Sequence, residues 1–212
     1  MNKNARFWDK AADKYAKSKI GDPADYERTL ARIRHHLKPT DKVLEVGCGT
    51  ASTAILLAPL VEEITASDIS TRMSEIGADK ARAEGLTKIR CVTAEIGDPR
   101  LGEHSYDAIL ALNLLHLLPD MKGDLAHIHK MLEPGGLFLS KTATMGNSPL
   151  WFRLMIGLAL PLMRLFGKAP YVTKLTHAKL ERAMREAGFQ IIEASTSPNI
   201  VASRFLVAQK VS

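Results

Sequence analysis

The sequence predicts an α/β protein: a largely parallel sheet with helices on both faces and its last strand antiparallel. Three observations predict it. From Val43 onward, short apolar runs alternate with stretches of helical period, the pattern of successive strand–helix units. The first run, Val43 to Val46, breaks at Gly47-Cys48-Gly49 and passes into a helical pattern at Ser52, as a buried strand does when it turns sharply into a helix. Near the other end, Phe189 to Ser195 and Ser203 to Gln209 read as strands joined by a short link, which suits antiparallel neighbours. With 212 residues, 46% of them hydrophobic, the chain has enough apolar surface for one domain over residues 1–212 with its own core.

The elements follow in order. Residues 6–20 read as an amphipathic helix, with Phe7, Trp8, Ala11, Ala12 and Tyr15 close together on the 3.6-residue period. Tyr26 to Leu37 is a second helix, stopped by Pro39, and the two make an N-terminal helical segment over 1–40. After the Val43 strand and the Ser52–Ala58 helix, Glu63 to Asp68 is a second strand, with Asp68 and Ser70 both suited to cap the helix that starts near Thr71. Gly85 falls where that helix should end. Lys88 to Val92 is the third strand, and Tyr106 to Asp120 is a fourth with its approach to the next helix. Pro134-Gly135-Gly136 marks a turn before a strand that reaches Ser140. A closing helix from Leu180, ended by Gly188, leads to the last two strands.

Composition narrows the function. The net charge of +6 comes from scattered basic residues, as at Lys10, Lys14, Lys17 and Lys19, and reads as a solvated face with no preference among anionic partners. Cys48 and Cys91 do not look like disulfide partners, and no Cys/His spacing suggests a metal. The segment Met1 to Arg6 has no apolar core of the signal-peptide kind, so a reducing cytoplasm is expected.

The glycine turn indicates the ligand. A dinucleotide fingerprint would need a third glycine where Ser52 stands, and a phosphate loop would need Gly-Lys-Ser/Thr. Glu45, two residues before Gly47, would repel a pyrophosphate and suits a cationic ligand. On these residues the chain resembles the class I S-adenosylmethionine-dependent methyltransferases, whose first motif reads acid-x-Gly-x-Gly-x-Gly; Ala51 replaces the third glycine. The segments around Asp68, Glu95, Asn113 and Pro134-Gly135-Gly136 match that family in order, and the segment Phe7 to Tyr15 resembles its small-molecule and quinone-type members.

The resemblance implies a Rossmann-like sheet of seven strands and a cofactor site for S-adenosyl-L-methionine, with S-adenosyl-L-homocysteine as product. Glu45, Gly47, Cys48 and Gly49 would form its first wall. Asp68 would accept from the ribose hydroxyls. Ile69 and Met73 would lie against the adenine, Glu95 and Ile96 would meet its edge, and backbone carbonyls near Leu112 and Asn113 would face the methionine ammonium.

One region departs from the pattern. Residues 145–175 exceed an ordinary strand–helix link, and 150–166 is nearly all apolar apart from Arg153 and Arg164. It is too short and too interrupted to span a bilayer, which leaves a helical lid over an apolar substrate, a homodimer interface, a peripheral membrane contact or a core helix. Methyl transfer is a direct displacement that requires alignment and exclusion of water more than a general base. Tyr15 and His116 are the candidate catalytic groups, and Trp151 and Tyr171 the candidate substrate contacts. The expected acceptor is a small or lipid-like molecule. Nucleic acid is disfavoured, because Asn113-Leu114-Leu115-His116 stands where amino-group nucleic-acid methyltransferases have Asn/Asp-Pro-Pro-Tyr/Phe. A non-catalytic cofactor-binding regulatory module and an RNA methyltransferase are the alternatives, the first allowed by Ala51 and Glu95, the second by the basic charge.

Overall fold

The computed structural model describes residues 3–102, 105–166, 169–197 and 199–211. Two helices, α1 (Lys3–Ala16) and α2 (Pro23–His36), precede β1 (Lys42–Val46), α3 (Ser52–Leu57), β2 (Glu63–Asp68), α4 (Thr71–Ala83), β3 (Ile89–Thr93), the short α5 (Pro99–Gly102) and β4 (Tyr106–Leu112). Then come α6 (Met121–Met131), β5 (Leu132–Ala143), α7 (Leu150–Leu165), α8 (His177–Glu186), β6 (Phe189–Ser197) and β7 (Ser203–Lys210). The strands form one seven-stranded sheet in the order β3-β2-β1-β4-β5-β7-β6. Pairing is parallel from β3 to β5, and β7 runs antiparallel to both its neighbours. This is the fold that the sequence predicts. The order reverses beside β1, so the crevice beyond the carboxyl ends of β1 and β4 is the topological switch point.

The strands are hydrophobic on both faces because both are covered. Leu44, Val46, Ile109, Phe138 and Leu206 point to one core, with Leu125 and Ile128 of α6 and Leu180 and Met184 of α8. Their neighbours Val43, Ala108, Leu110, Leu139 and Val207 point to the other, with Leu30 and Ile33 of α2 and Ala54 and Leu57 of α3. The period of two along each strand thus distributes one sequence between two cores.

Local chemistry sets the element ends. Asp22 caps α2 by accepting from Asp25 N–H at 2.9 Å, with Pro23 in the first turn, where its missing N–H costs nothing. The predicted Pro-Gly-Gly turn is instead a bulge inside β5: Tyr106 pairs with Leu132 and Ala108 with Leu137. A Cβ on Gly136 would sit 2.9 Å from the Glu133 carbonyl oxygen and 3.1 Å from that of Asp107, so only glycine fits there. Helix α7 continues through Pro161, in keeping with the helical element expected over 150–166.

Helix α2 is fixed to the sheet by charge as well as by Leu30 and Ile33. Buried Asp25 accepts from Lys141 Nζ on β5 at 2.5 Å and from Ser197 Oγ on β6 at 2.8 Å, and Thr29 Oγ1 accepts from Lys141 at 2.9 Å. Burial opposes the Asp25 charge, but hydrogen bonds from Lys141 and Ser197 outweigh it and hold the carboxyl below its ordinary range.

Candidate cofactor and acceptor site

A cavity of about 650 Å³ opens at the switch point. Its floor is the β1–α3 turn. Gly47 and Gly49 have φ of +64° and +56°, and a Cβ on Gly47 would meet the Leu114 side chain at 2.6 Å. Ala51 holds φ +56° at the N-cap of α3, a conformation that disfavours alanine and explains why the resembling motif has glycine there. An alanine cannot cap a helix through its side chain. Glu45 does so from β1, accepting from Ala54 N–H. Its Oε2 is buried with no hydrogen-bond partner among the described residues. Burial first, then the proximity of Asp68, pushes the Glu45 carboxyl up to about 8 against the bond from Ala54. Glu45 therefore lies behind the turn, largely neutral at neutral pH.

Asp68 closes the second side. It ends β2, lines the cavity and is almost fully buried. Gly49 N–H donates to its Oδ2 at 2.9 Å and Ser70 N–H to its Oδ1 at 2.8 Å, so the glycine turn and the start of α4 aim one carboxylate. Ser70 caps α4 through Met73 N–H, which separates capping from the role of Asp68. Each Asp68 oxygen keeps a lone pair for a further donor. Burial raises its pKa, countered by those two backbone bonds.

Ile69, Met73, Ala94 and Ile96 make an apolar slot beside it, with Glu95 at its edge. Leu112 and Asn113 line the β4 end, where Asn113 has φ +57° and its N–H donates to the Lys141 carbonyl at 2.7 Å. His116 also lines the cavity, with its Nδ1 buried and unpartnered among the described residues. Burial lowers its pKa to about 4.

The roof is α1. Asn4, Trp8 and Tyr15 line the cavity from one stripe of that helix. Asp9 fixes α1 by accepting from Ser70 Oγ at 2.6 Å and Arg72 N–H at 3.1 Å, and Asp13 accepts from Arg72 Nη2 at 2.7 Å. The Tyr15 ring rests on Gly49, where a Cβ would approach it to 3.4 Å. Burial of that end, with Glu45 and Asp68 near, raises the Tyr15 pKa, so its hydroxyl is a donor rather than a base.

Most of the sequence-derived positions therefore converge on one cavity: Gly47, Gly49, Asp68, Ile69, Met73, Glu95, Ile96, Leu112, Asn113, His116 and Tyr15. Glu45 and Cys48 stand behind its wall. Trp151 and Tyr171 do not line it. Trp151 is on an exposed face of α7, and no α7 residue lines the cavity, whereas Met145, Pro170 and Val172 to either side of that helix do. Tyr171 packs its ring under Arg164 and accepts from Thr173 Oγ1, while its neighbours Pro170 and Val172 reach the cavity. Thr173 N–H donates to the His116 carbonyl at 2.7 Å, which draws that segment in.

Sequence reasoning missed Asn4, Trp8, Asp124, Met145 and Val201 as lining residues. For Trp8 the signal was present, one α1 stripe shared with Tyr15. Asp124 gave none, because only the docking of α6 brings it to the cavity; there burial, then Asp120, raise its pKa to about 6.

Residues 44–138 match the model of a methyltransferase domain family. A highly reducing polyketide synthase of a Fusarium species is 32% identical over 148 residues, which cover 63% of this chain and 6% of that protein. A sterol 24-C-methyltransferase of Gibberella zeae is 29% identical over 121 residues, 53% of this chain and 32% of that one. The chain thus aligns with only a minor part of the length of these relatives. The crystal structure of the N-methyltransferase NodS from Bradyrhizobium japonicum, in complex with S-adenosyl-L-homocysteine, superposes with a TM-score of 0.70 at 16% identity, covering 97% of this chain and 99% of that one. The chain has the class I S-adenosylmethionine-dependent methyltransferase fold.

Proposed function

We propose that the protein binds S-adenosyl-L-methionine and transfers its methyl group to a small, apolar or amphiphilic acceptor. The observation that carries this is Asp68: a buried carboxylate with both oxygens aimed by Gly49 and Ser70 N–H, beside an apolar slot and a turn of left-handed glycines. That donor set suits a ribose diol next to a purine. The unpartnered Glu45 Oε2 behind the turn suits a cation in front of it. When bound, the cofactor supplies an electrophilic methyl carbon on a sulfonium together with its own leaving group.

The chain's residues have the remaining tasks. Asp68 and the Ile69–Met73 wall fix the nucleoside end, and the Gly47–Gly49 backbone and Leu112–Asn113 fix the other. Trp8 and Tyr15, held by the Asp9 and Asp13 contacts to α4, exclude water. The acceptor side, with Leu117, Leu118, Pro119, Met145, Val172 and Val201, is mostly apolar. The polyketide synthase and sterol relatives support an acceptor with a carbon skeleton of that character. The direct test is formation of S-adenosyl-L-homocysteine with a panel of acyl, sterol-like, quinone and polar acceptors. Turnover confined to the apolar members is expected, and turnover confined to the polar ones would contradict the reading.

His116 stays neutral across the physiological range, because burial excludes its proton. The folded pKa lies below the unfolded value, so the unfolded chain binds more protons between about pH 4 and pH 6.5, and this group destabilises the fold as pH falls through that window. For catalysis, kcat/KM should show no limb in the ordinary histidine range that His116→Gln removes. A limb between about pH 6 and pH 7 that vanishes in that variant would identify His116 as a titrating base and overturn this account.

A further inference from the structure

Helix α7 carries its apolar surface outward. None of its residues is buried. Trp151, Leu154, Met155, Leu158, Leu162, Leu165 and Phe166 are all exposed, Leu158 at 82% and Leu165 at 79%. At 100° per residue these seven fall within an arc of about 120°, which the exposed Leu150 and Met163 on its two sides widen to about 220°. Phe152, Ile156 and Leu160, on the side toward the protein, are partly covered. Arg153 and Arg164 lie roughly opposite the centre of the exposed face, about 200–220° from Trp151 on the same wheel. The helix is therefore amphipathic with its apolar side toward the surroundings, unlike a helix packed on a core.

The patch continues beyond the helix. The turn between β6 and β7 exposes Ile200 at 60% and Val201. Ala202 N–H donates to Ser148 Oγ at 3.1 Å, and Thr144 N–H to the Ala202 carbonyl at 2.7 Å, which ties this turn to the segment entering α7. Asn199, beside that turn, donates to Asp22 Oδ2 at 3.2 Å, but along the segment that carries α7 the charge has one sign. No Asp or Glu occurs between Glu133 and Glu181, while Arg153, Arg164, Lys174 and Lys179 do. An apolar patch of this extent on a protein surface marks an interaction site.

We propose that the outer face of α7, with the Ile200–Val201 turn, docks into the interface of an anionic lipid bilayer. The apolar arc enters to the depth of the acyl boundary, and the cationic groups behind it lie at the level of the head groups. No helix of the described residues is long and apolar enough to cross a membrane, so the contact is peripheral. A second copy is the less suitable occupant. A two-fold contact through the apolar arc would leave Arg153 and Arg164, on the far side of the helix, without the anionic partners that lipid head groups supply. Met145 and Val201 line the cavity at one end of α7, and Pro170 and Val172 beyond the other, so docking also places the cavity mouth at the lipid surface. The docking stands whether or not the methyltransferase reading does.

Vesicle flotation of the full chain tests it. Vesicles of phosphatidylcholine alone are compared with vesicles in which a third of the lipid is phosphatidylglycerol, using wild type and Leu158→Glu/Leu162→Glu. Both substitutions are on the exposed face, so the melting temperature of the double variant should match wild type. Wild type is expected to float with the anionic vesicles, at least tenfold more than with the neutral ones, and the variant to stay below. Absence of wild-type flotation, equal flotation of the variant, or equal binding to both vesicles would overturn the proposal. So would a wild-type dimer in light scattering that the variant splits without any lipid binding, which would assign the face to a second copy.

Discussion

Asp25→Ala should destabilise the fold by about 3–5 kcal/mol, because it leaves the Lys141 ammonium buried without its counter-charge. The side chains of both partners are 12% exposed, so water cannot replace the lost carboxylate. The variant also removes the acceptor for Ser197 Oγ, which joins α2 to β6. In Asp25→Leu/Lys141→Met both charges are gone, and most of the loss should be recovered, since a buried pair exchanged for apolar side chains of similar size is often neutral. Urea unfolding of the three proteins checks this. A loss in Asp25→Ala no larger than that of an exposed surface pair, below about 1 kcal/mol, would contradict the burial argument. The pH dependence has a fixed sign. The folded pKa of Asp25 is depressed, so its contribution is present above the ordinary aspartate pKa and is lost as pH falls through the lower, folded value.

Asp68→Ala should have the largest effect on ligand binding. The ribose would lose its paired acceptor at a cost of ~1–3 kcal/mol, a loss of roughly tenfold to a hundredfold in affinity. The Gly49 and Ser70 N–H groups lose their acceptor as well, so the turn that faces the ligand loosens with it. Ser70 still caps α4 through Met73 N–H, and the protein should remain folded. Asp68→Asn keeps one acceptor oxygen and should bind with intermediate affinity. Equal affinity of Asp68→Ala and wild type for S-adenosyl-L-homocysteine, with both folded, would remove Asp68 from the site.

What the sequence made legible was local. The strand–turn–helix at Val43–Ser52, the acid ending β2 and the short β6–β7 link are each encoded within about ten residues, where backbone demands and period decide the outcome. The count of seven strands came through the family resemblance carried by those segments; their order came from the structure. The roof was harder to see. Trp8 and Tyr15 share a visible stripe, but that the stripe faces Gly49 depends on Asp9 meeting Ser70 and Asp13 meeting Arg72, contacts across some sixty residues. Glu45 was legible as an acid suited to a cation. That it also accepts from Ala54 N–H in α3 depends on how β1 meets that helix, which no local pattern encodes. The α7 composition was plain, yet composition alone cannot tell a helix that covers a site from one that faces outward. That depends on how the ends of the helix leave the sheet.

Calorimetric titration of the wild-type protein with S-adenosyl-L-homocysteine tests the central claim most directly, because it needs no acceptor. Saturable binding to one site per chain is predicted, together with proton release at neutral pH. The carboxyl of Glu45, held at about 8 when no cation faces it, should ionise further as the ligand's ammonium approaches, and the heat should therefore vary with the ionisation enthalpy of the buffer. No saturable heat at high micromolar ligand, from protein shown to be folded, would contradict the account.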